Sequence, residues 1–291
     1  MNGNKSQIQW FPGHMAKTLR LIESEINNVD AVIEILDARI PYSSRNREFC
    51  KIVNRKPTLI LLNKSDLAEP EVTKDWIKYY KDLGSSALCV VSKERRIRAE
   101  VAGALENAVR PVTDAKAKRG MDGFKVRAMV IGIPNVGKST FINTMALSAP
   151  TKVADKPGVT RGKQWIDAGK VELLDMPGTL WPKFESSTVA NHLAFCGAIN
   201  DSIMDMTELA VSLIAELRQG GREEIMARYS VEYTHEDTEL MILEMIAKKR
   251  GMLLAKGRTD VDRAAIMLID ELRAGKLGRI SFERVRDGAC L

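Results

Sequence analysis

The chain has 291 residues, of which 45% are hydrophobic and 28% charged, so it has room for two domains with ordinary cores. The formal net charge of +6 permits a polyanionic partner without requiring one. Short apolar runs, a polar N-terminus and four scattered cysteines argue against a membrane-spanning, secreted or disulfide-bonded protein. We therefore expect a cytoplasmic protein with no membrane span.

The N-terminal part alternates helical and strand patterns. Met15, Leu19, Ile22 and Ile26 recur at helical spacing and predict a helix over about 14–27. The sequence predicts strands over 30–36, 58–62 and 87–91, of which 58–62 is a continuous apolar run typical of a strand buried on both faces. Helices are predicted over 44–55, 70–83 and 96–109. The polar, basic stretch over 110–123 predicts a mobile connection.

The C-terminal part changes character near residue 188. Before it, a strand over 128–131 leads into a glycine loop and a helix, and a hairpin is predicted over 164–168 and 170–174. With the earlier elements, these patterns predict an α/β fold with a mainly parallel, doubly wound sheet. Later patterns are helical, over 188–198, 207–218, 222–229, 236–250 and 260–273. We therefore expect an α/β domain over 1–187 and a helical domain over 188–291.

A phosphate-binding loop follows the strand at 128–131. Gly132, four residues, Gly137, Lys138 and Ser139 form the P-loop pattern in its strand–loop–helix context. The glycines let backbone N–H groups approach a phosphate at the positive end of the next helix. Lys138 would reach the β- and γ-phosphates, and the Ser139 hydroxyl would coordinate Mg²⁺. A glycine turn with a chance Lys-Ser pair is the alternative, which the preceding strand disfavours. Further nucleotide contacts are assigned to Pro134, Asn135, Val136 and Thr140.

The residues Asn63-Lys64-Ser65-Asp66, at the end of a buried strand, fit the guanine-recognition pattern Asn-Lys-x-Asp. The Asp66 carboxylate would accept hydrogen bonds from the guanine ring N–H and exocyclic amine, a pair of donors that adenine lacks. The Lys64 stem would lie along the base, and Asn63 would tie this loop to the P-loop. A second guanine contact, resembling the Ser-Ala-Lys element whose backbone N–H meets the guanine oxygen, is assigned to Ser92 and Lys93.

Asp175 and Gly178 fit the pattern Asp-x-x-Gly at the end of the hairpin. Asp175 would hold Mg²⁺ through water, and the Gly178 N–H would meet the γ-phosphate. Thr160, in a Lys-Pro-Gly-Val-Thr-Arg-Gly loop, would close over Mg²⁺ when the γ-phosphate is present. The alternative for Thr160 is an ordinary loop threonine, but its spacing to both neighbouring motifs favours the switch role.

The order of these motifs is unusual. The guanine elements precede the P-loop, Thr160 and Asp175, whereas in ordinary GTPases they follow it. The sequence therefore predicts a circularly permuted, Ras-like P-loop NTPase, which a packed sheet tolerates because it requires contacts rather than a chain order. Gly178 lies within about a dozen residues of the helical domain. Loss of γ-phosphate contacts could therefore reorient that domain directly.

Taken with the permuted order, other residues resemble the circularly permuted GTPases of the YlqF/YawG type. The resemblance covers essentially the whole chain and includes Trp-Phe-Pro-Gly-His-Met near the start, Asp37-Ala38-Arg39-x-Pro41 and the helical C-terminal domain. It implies a GTPase that binds GTP and GDP with Mg²⁺. It also implies a protein that acts on a precursor of the large ribosomal subunit, with the helical domain contacting ribosomal RNA. We expect the protein to be a monomer.

The resemblance implies three more roles. Thr179 stands where many GTPases have a water-orienting Gln, so another group must position the attacking water. His14 matches the histidine proposed for that purpose in the family, and its alternative is packing on Trp10 and Phe11. Asn135 resembles the asparagine that coordinates K⁺ in potassium-activated GTPases, and otherwise it is a simple loop amide. The catalytic assignment is therefore His14, Lys138, Thr160 and Gly178.

The helical domain leaves its partner open at this stage. Its basic residues often have acids beside them, so they fit a solvated surface as well as an RNA contact; they include Lys248, Lys249, Arg250, Lys256, Arg258, Arg273, Lys276, Arg279, Arg284 and Arg286. Two rival functions would use the same nucleotide motifs. One is a regulatory GTPase with a protein partner, and the other is a nucleotide-gated scaffold with little hydrolysis.

Overall fold

The computed structural model of the chain describes residues 12–120, 124–147, 164–222, 226 and 228–285. The helices are α1 (Pro12–Glu25), α2 (Arg47–Val53), α3 (Pro70–Asp82), α4 (Ile97–Ala117), α5 (Lys138–Met145), α6 (Ser187–Phe195), α7 (Met206–Gln219), α8 (Glu239–Lys249) and α9 (Val261–Arg273). The strands are β1 (Ala31–Asp37), β2 (Thr58–Asn63), β3 (Ser86–Cys89), β4 (Val126–Gly132), β5 (Gln164–Asp167) and β6 (Val171–Asp175). Most of these elements lie within a few residues of the predicted ones.

The described strands form one sheet in the order β3-β2-β1-β4-β6-β5. All neighbouring strands are parallel except the edge strand β5, which pairs antiparallel with β6 in the predicted hairpin. Parallel neighbours require crossover connections, which the helices between the strands supply. The predicted mainly parallel α/β sheet is therefore confirmed.

The centre of the sheet is buried on both faces. Successive side chains of a strand point to opposite faces, and all seven residues of β1 are buried. On one of these faces Val32 packs with Ile22 of α1 and Phe49 of α2, while Leu36 packs with Trp76 of α3. Because the strands run parallel, the loops after β1, β2, β4 and β6 meet at one edge of the sheet, where ligands bind in such folds.

Helix α4 is longer than its sequence pattern predicts. The prediction ended the helix at 109 and treated 110–123 as a mobile connection, but the helix continues to Ala117 with Pro111 inside it. The Lys116 ammonium forms an ion pair with Asp30 and lies 4.2 Å from the centre of the Phe124 ring. The ion pair joins residues 86 positions apart, so the polar composition of the last turns did not reveal it.

The chain divides into two compact units. The first holds the residues up to Ser186 and those from Ser281 onward, and the second is Ser187–Ile280. The second unit is helical in its described residues, and its core includes Leu209, Leu213, Ile214, Ile242, Leu243, Leu268 and Ile269. No helix in the described ranges is both long and apolar enough to cross a membrane.

Residues 281–285, here termed the returning segment, contact the α/β unit although they follow the helical unit in sequence. The Glu283 carboxylate accepts hydrogen bonds from the backbone N–H groups of Tyr42, at 2.6 Å, and Ser43, at 3.1 Å. The Trp76 indole N–H donates to the Glu283 carbonyl at 3.1 Å. The helical domain predicted over 188–291 thus differs from the observed helical unit at its C-terminal end.

Candidate nucleotide-binding site

The P-loop joins β4 to α5, and neighbouring atoms approach both of its glycines closely. Gly137 has a φ of +100°, and a Cβ there would lie 2.3 Å from Nδ2 of Asn63. A Cβ on Gly132 would lie 2.6 Å from the backbone oxygen of Ile35. Any side chain at these two positions would displace the loop from its neighbours.

Lys138 occupies the first position of α5 and is only 8% exposed. Its Nζ donates to the backbone carbonyls of Gly132 and Ile133, each at 3.1 Å, within the P-loop itself. Burial lowers the pKa of Lys138 to about 8, although the nearby Asp175 acts in the opposite direction. Ser139 and Thr140 follow in the same turn and are partly buried. The loop therefore surrounds a cation whose charge is poorly solvated.

Asn63 links three loops at the edge of the sheet. It is buried at the end of β2, and its Nδ2 donates to the Val136 carbonyl of the P-loop at 2.7 Å. Its Oδ1 accepts a hydrogen bond from the Ser92 backbone N–H at 2.9 Å. Asn63 therefore makes the predicted hydrogen bond between the P-loop and residues 63–66, here termed the guanine loop. The Ser92 amide is engaged with Asn63 rather than presented toward a ligand.

Lys64 and Asp66 complete the loop after β2. The Lys64 Nζ donates to the Asn135 carbonyl of the P-loop at 2.8 Å. Asp66 is partly exposed, and one of its oxygens accepts from the Lys93 ammonium at 3.1 Å. Ion pairs of this exposure contribute little to stability, so the Asp66 carboxylate can exchange this partner for a ligand.

Asp175, at the end of β6, and Gly178, in the following loop, lie beside the P-loop. A Cβ on Gly178 would lie 2.5 Å from the Lys138 Nζ and 3.2 Å from the Pro134 backbone, so this glycine abuts the P-loop. Asp175 is buried, and its Oδ1 has no hydrogen-bond partner among the described residues. Burial raises the pKa of Asp175 to about 6, against the lowering effect of Lys138. A buried carboxylate oxygen without a partner, beside the Ser139 loop, fits a hard divalent cation such as Mg²⁺.

Two assigned residues cannot be compared with this geometry. Thr160 lies outside the described residues. His14 falls in the first turn of α1, but its side chain also lies outside them. Thr179, at the position after Asp-x-x-Gly, is buried, and its hydroxyl donates to the Leu180 carbonyl at 3.2 Å.

The structure also shows contacts that the sequence motifs did not indicate. The Asn46 side chain, which caps α2, donates to the Thr179 carbonyl at 3.4 Å. The Arg47 guanidinium lies 3.5 Å from the Glu185 carboxylate. The segment after Gly178 is therefore attached to the start of α2. A polar cap at the start of a helix was visible in the sequence, but not its distant partner.

Comparisons with known proteins agree with this geometry. Residues 127–254 match the family described as 50S ribosome-binding GTPase. The chain is 42% identical over 277 residues to the ribosome biogenesis GTPase A of Bacillus cereus, covering 95% of this chain and 93% of that protein.

Two solved structures are also similar. The GNP-bound YlqF from T. maritima gives a TM-score of 0.63 at 28% identity, over 92% of this chain and 98% of that one. A GDP-bound YlqF structure gives 0.59 at 30% identity, over 90% and 98%. Both matches run through nearly the full length of each chain.

Proposed function

Because the chain belongs to the ribosome biogenesis GTPase A family, we propose that it hydrolyses GTP with Mg²⁺ in the assembly of the large ribosomal subunit, as a cytoplasmic monomer. Nucleotide binding is supported mainly by the convergence of segments that are far apart in the sequence. Asn63 joins the guanine loop to the P-loop at 2.7 Å, and Gly178 abuts Lys138 of that loop. Residues from three stretches of the chain thus surround one candidate site.

Guanine would be selected by the loop after β2. The Asp66 carboxylate would accept from the two N–H donors of the guanine edge, while the Lys64 stem would lie along the base. Ser92 and Lys93 would form the second guanine element, in which a backbone N–H meets the guanine oxygen. Bound ATP would leave the carboxylate desolvated without donors, which costs enough to discriminate by orders of magnitude.

The phosphates would be held by the P-loop. Backbone N–H groups over 134–140 would cradle them, and Lys138 would turn from its own loop carbonyls toward the β- and γ-phosphates. Gly178 would offer its N–H to the γ-phosphate. Ser139, Thr160 and Asp175 would hold the magnesium ion. A bound Mg²⁺ would neutralise charge that develops on the phosphate oxygens during transfer.

Nucleotide titration tests this assignment. We expect isothermal titration calorimetry to give tight binding of GDP and of a non-hydrolysable GTP analogue, with no competition from ATP at equal concentration. Asp66→Ala should remove the preference for guanine, whereas Asp75→Ala, a matched change at an exposed position of α3, should retain it. Equal displacement by ATP and GTP would reject the assignment.

His14 is proposed to orient the attacking water, since Thr179 occupies the position of the usual Gln. A neutral imidazole has both an acceptor and a donor for this purpose. His14→Ala should lower turnover by about a hundredfold while leaving GTP affinity intact. Lys17→Ala, an exposed position on the same helix, is the matched control. Unchanged turnover of His14→Ala with ribosomal precursors would refute the role.

Asn135 is proposed to coordinate K⁺ beside the phosphates. Such a cation would neutralise transition-state charge in the way an arginine finger does. Single-turnover hydrolysis should then be faster in KCl than in NaCl, and Asn135→Ala should abolish the difference. Equal rates in the two salts would leave Asn135 as a loop amide only.

Ribosomal RNA is the proposed partner of the helical unit. Several of its exposed cations lie at the end of α8, in the following loop and after α9; these are Lys248, Lys249, Arg250, Lys256, Arg258, Lys276 and Arg279. Contacts to phosphates would make binding fall steeply with salt. Arg273, in contrast, is paired with Asp201 at 2.7 Å inside the unit and is better explained by packing.

Co-sedimentation with large ribosomal subunits tests this partner. Changing Lys248, Lys249 and Lys256 to Glu should abolish co-sedimentation, whereas changing Lys74, Lys78 and Lys81 on α3 to Glu alters charge equally and should not. Ribonuclease treatment should release the wild-type protein if RNA is the ligand. Retained binding after ribonuclease would favour the rival, a protein partner.

Coupling between nucleotide and helical unit is proposed from the short connection between Gly178 and α6. Loss of γ-phosphate contacts would free the segment over 179–186, which leads directly into Ser187. Amide exchange of 187–280 should therefore differ between the GDP form and the form with a GTP analogue. Identical protection in both forms would exclude the coupling.

A further inference from the structure

The Asp37-Ala38-Arg39-x-Pro41 stretch has no role in the chemistry proposed above. It begins at Asp37, the last residue of β1, and lies beside the guanine loop because the parallel register sets Asp37 opposite Asn63. The Ala38 backbone N–H donates to the Asn63 carbonyl at 2.8 Å. The ends of β1 and β2 are thereby joined immediately before Lys64.

Asp37 is 1% exposed, and two cations share its carboxylate. Arg39 donates to it from its backbone N–H, Nε and Nη2, at 3.1, 2.9 and 2.8 Å. The Lys64 Nζ lies 3.1 Å from Oδ2 of the same carboxylate. Burial alone would raise the pKa of Asp37, but Arg39 and Lys64 together hold it well below its usual range. The carboxylate is therefore ionised at neutral pH.

Lys64 itself adopts a backbone conformation that side chains disfavour. Its φ is +58°, in the left-handed region, and the facing P-loop residue Asn135 has a φ of +56°. The Lys64 ammonium connects these two left-handed positions through its bond to the Asn135 carbonyl. Asp37, at the end of β1, contacts the same ammonium. It therefore helps to hold the Lys64 side chain where it connects the guanine loop to the P-loop.

We propose that Asp37 is a positioning residue for guanine-nucleotide binding, which acts by fixing the side chain of Lys64. A lysine chain loses rotamer freedom when it is ordered against a ligand, and a residue that orders it beforehand reduces this loss on binding. Arg39 compensates the buried charge of Asp37. The inference rests on the proposed guanine loop, because it takes Lys64 to lie along the base.

A double-mutant cycle tests the proposal. Arg39→Met serves as the background, because methionine keeps much of the stem and removes the charge that Asp37 compensates. In that background, Asp37→Asn should weaken GDP binding about tenfold with Lys64 present. With Lys64→Met also present, the same change should weaken binding by less than about twofold. Calorimetry with GDP gives the four dissociation constants.

Two further readouts separate positioning from general damage. GDP and a non-hydrolysable GTP analogue should lose affinity by the same factor, because the base contact is common to both. Hydrolysis at saturating GTP should keep its kcat while KM rises. If Asp37→Asn weakens binding equally with and without Lys64→Met, or leaves binding unchanged with Lys64 present, the proposal is wrong.

If the Arg39→Met background does not fold, the cycle is repeated in the otherwise native chain by combining Asp37→Glu with Lys64→Met. Asp37→Glu retains the charge and moves the carboxylate by one methylene, so it should still weaken GDP binding through Lys64. Asp66→Ala in the same assay distinguishes two failures. Full GDP affinity in Asp66→Ala would reject the guanine loop itself. Lost affinity there, with none lost on changing Asp37, would reject only the role of Asp37.

Discussion

The two ends of the proposed nucleotide site differ in how completely their ionisable side chains are paired, although the buried Ser92 hydroxyl at the guanine end also has no hydrogen-bond partner among the described residues. At the guanine end, Asn63 and Lys64 have partners at 2.7–3.1 Å on neighbouring loops. At the phosphate end, Asp175 has an oxygen without a partner among the described residues, and the pKa of Lys138 is lowered to about 8. The guanine end is therefore preformed, whereas the phosphate end stores an electrostatic cost that charged ligands would relieve.

The largest effect is expected from Gly137→Ala, because Gly137 lies where the P-loop contacts Asn63 of the guanine loop. Its Cβ would enter the space of the Asn63 amide at 2.3 Å, and its φ of +100° disfavours alanine. We expect GDP and GTP affinity to fall by more than about a hundredfold, measured by calorimetry. Gly103→Ala, where a Cβ meets nothing within 4 Å, is the matched control and should bind normally. Normal GDP binding by Gly137→Ala would show that the loops are not held as described.

Gly178→Ala should affect the phosphate end alone. A Cβ would lie 2.5 Å from the Lys138 Nζ and 3.2 Å from the Pro134 backbone, which is fixed. Affinity for a GTP analogue should fall about thirtyfold and that for GDP less than about threefold, because only the γ-phosphate would meet Gly178. Competition binding with both nucleotides measures the ratio. Equal losses for the two would remove the distinction between the ends.

Asp175→Asn should stabilise the protein without nucleotide. The pKa of Asp175 is raised to about 6, so its ionisation above that pH opposes folding, and stability from this group is lost as the pH rises through 6. The variant should therefore gain about 1–2 kcal/mol at pH 7.5 and much less near pH 4.5. Urea unfolding at the two pH values measures the gain. The same gain at both would show that ionisation of Asp175 is not its cause.

Ser65→Ala should have the smallest effect. Its hydroxyl donates to the Val90 carbonyl at 3.1 Å at the preformed guanine end, where other contacts hold the loop. We expect a loss of about 0.5–1 kcal/mol in unfolding free energy and a change in GDP affinity within about twofold. A tenfold loss of affinity would mean that the guanine end depends on this single bond. Calorimetry and urea unfolding on the same preparation distinguish these outcomes.

The fold and the site differ in what the sequence made predictable. Strands β1 and β2 are buried on both faces and are rich in Ile, Leu and Val, and the P-loop and Asn-Lys-x-Asp patterns are local. Contacts between remote residues have no such pattern. Lys116 pairs with Asp30, 86 positions away, which extends α4 beyond its apolar stripe. The sharing of Asp37 between Arg39 and Lys64 likewise depends on the strand register rather than on spacing.

The returning segment gives the chain a definite order of maturation. Glu283 caps the amides of Tyr42 and Ser43 from a position 240 or more residues later in the sequence. During translation the α/β unit is made first, but those amides receive their carboxylate only after the whole helical unit has emerged. A nascent chain halted within the helices would therefore lack the Glu283 contacts, and the α/β unit is completed only after the helical unit has been made.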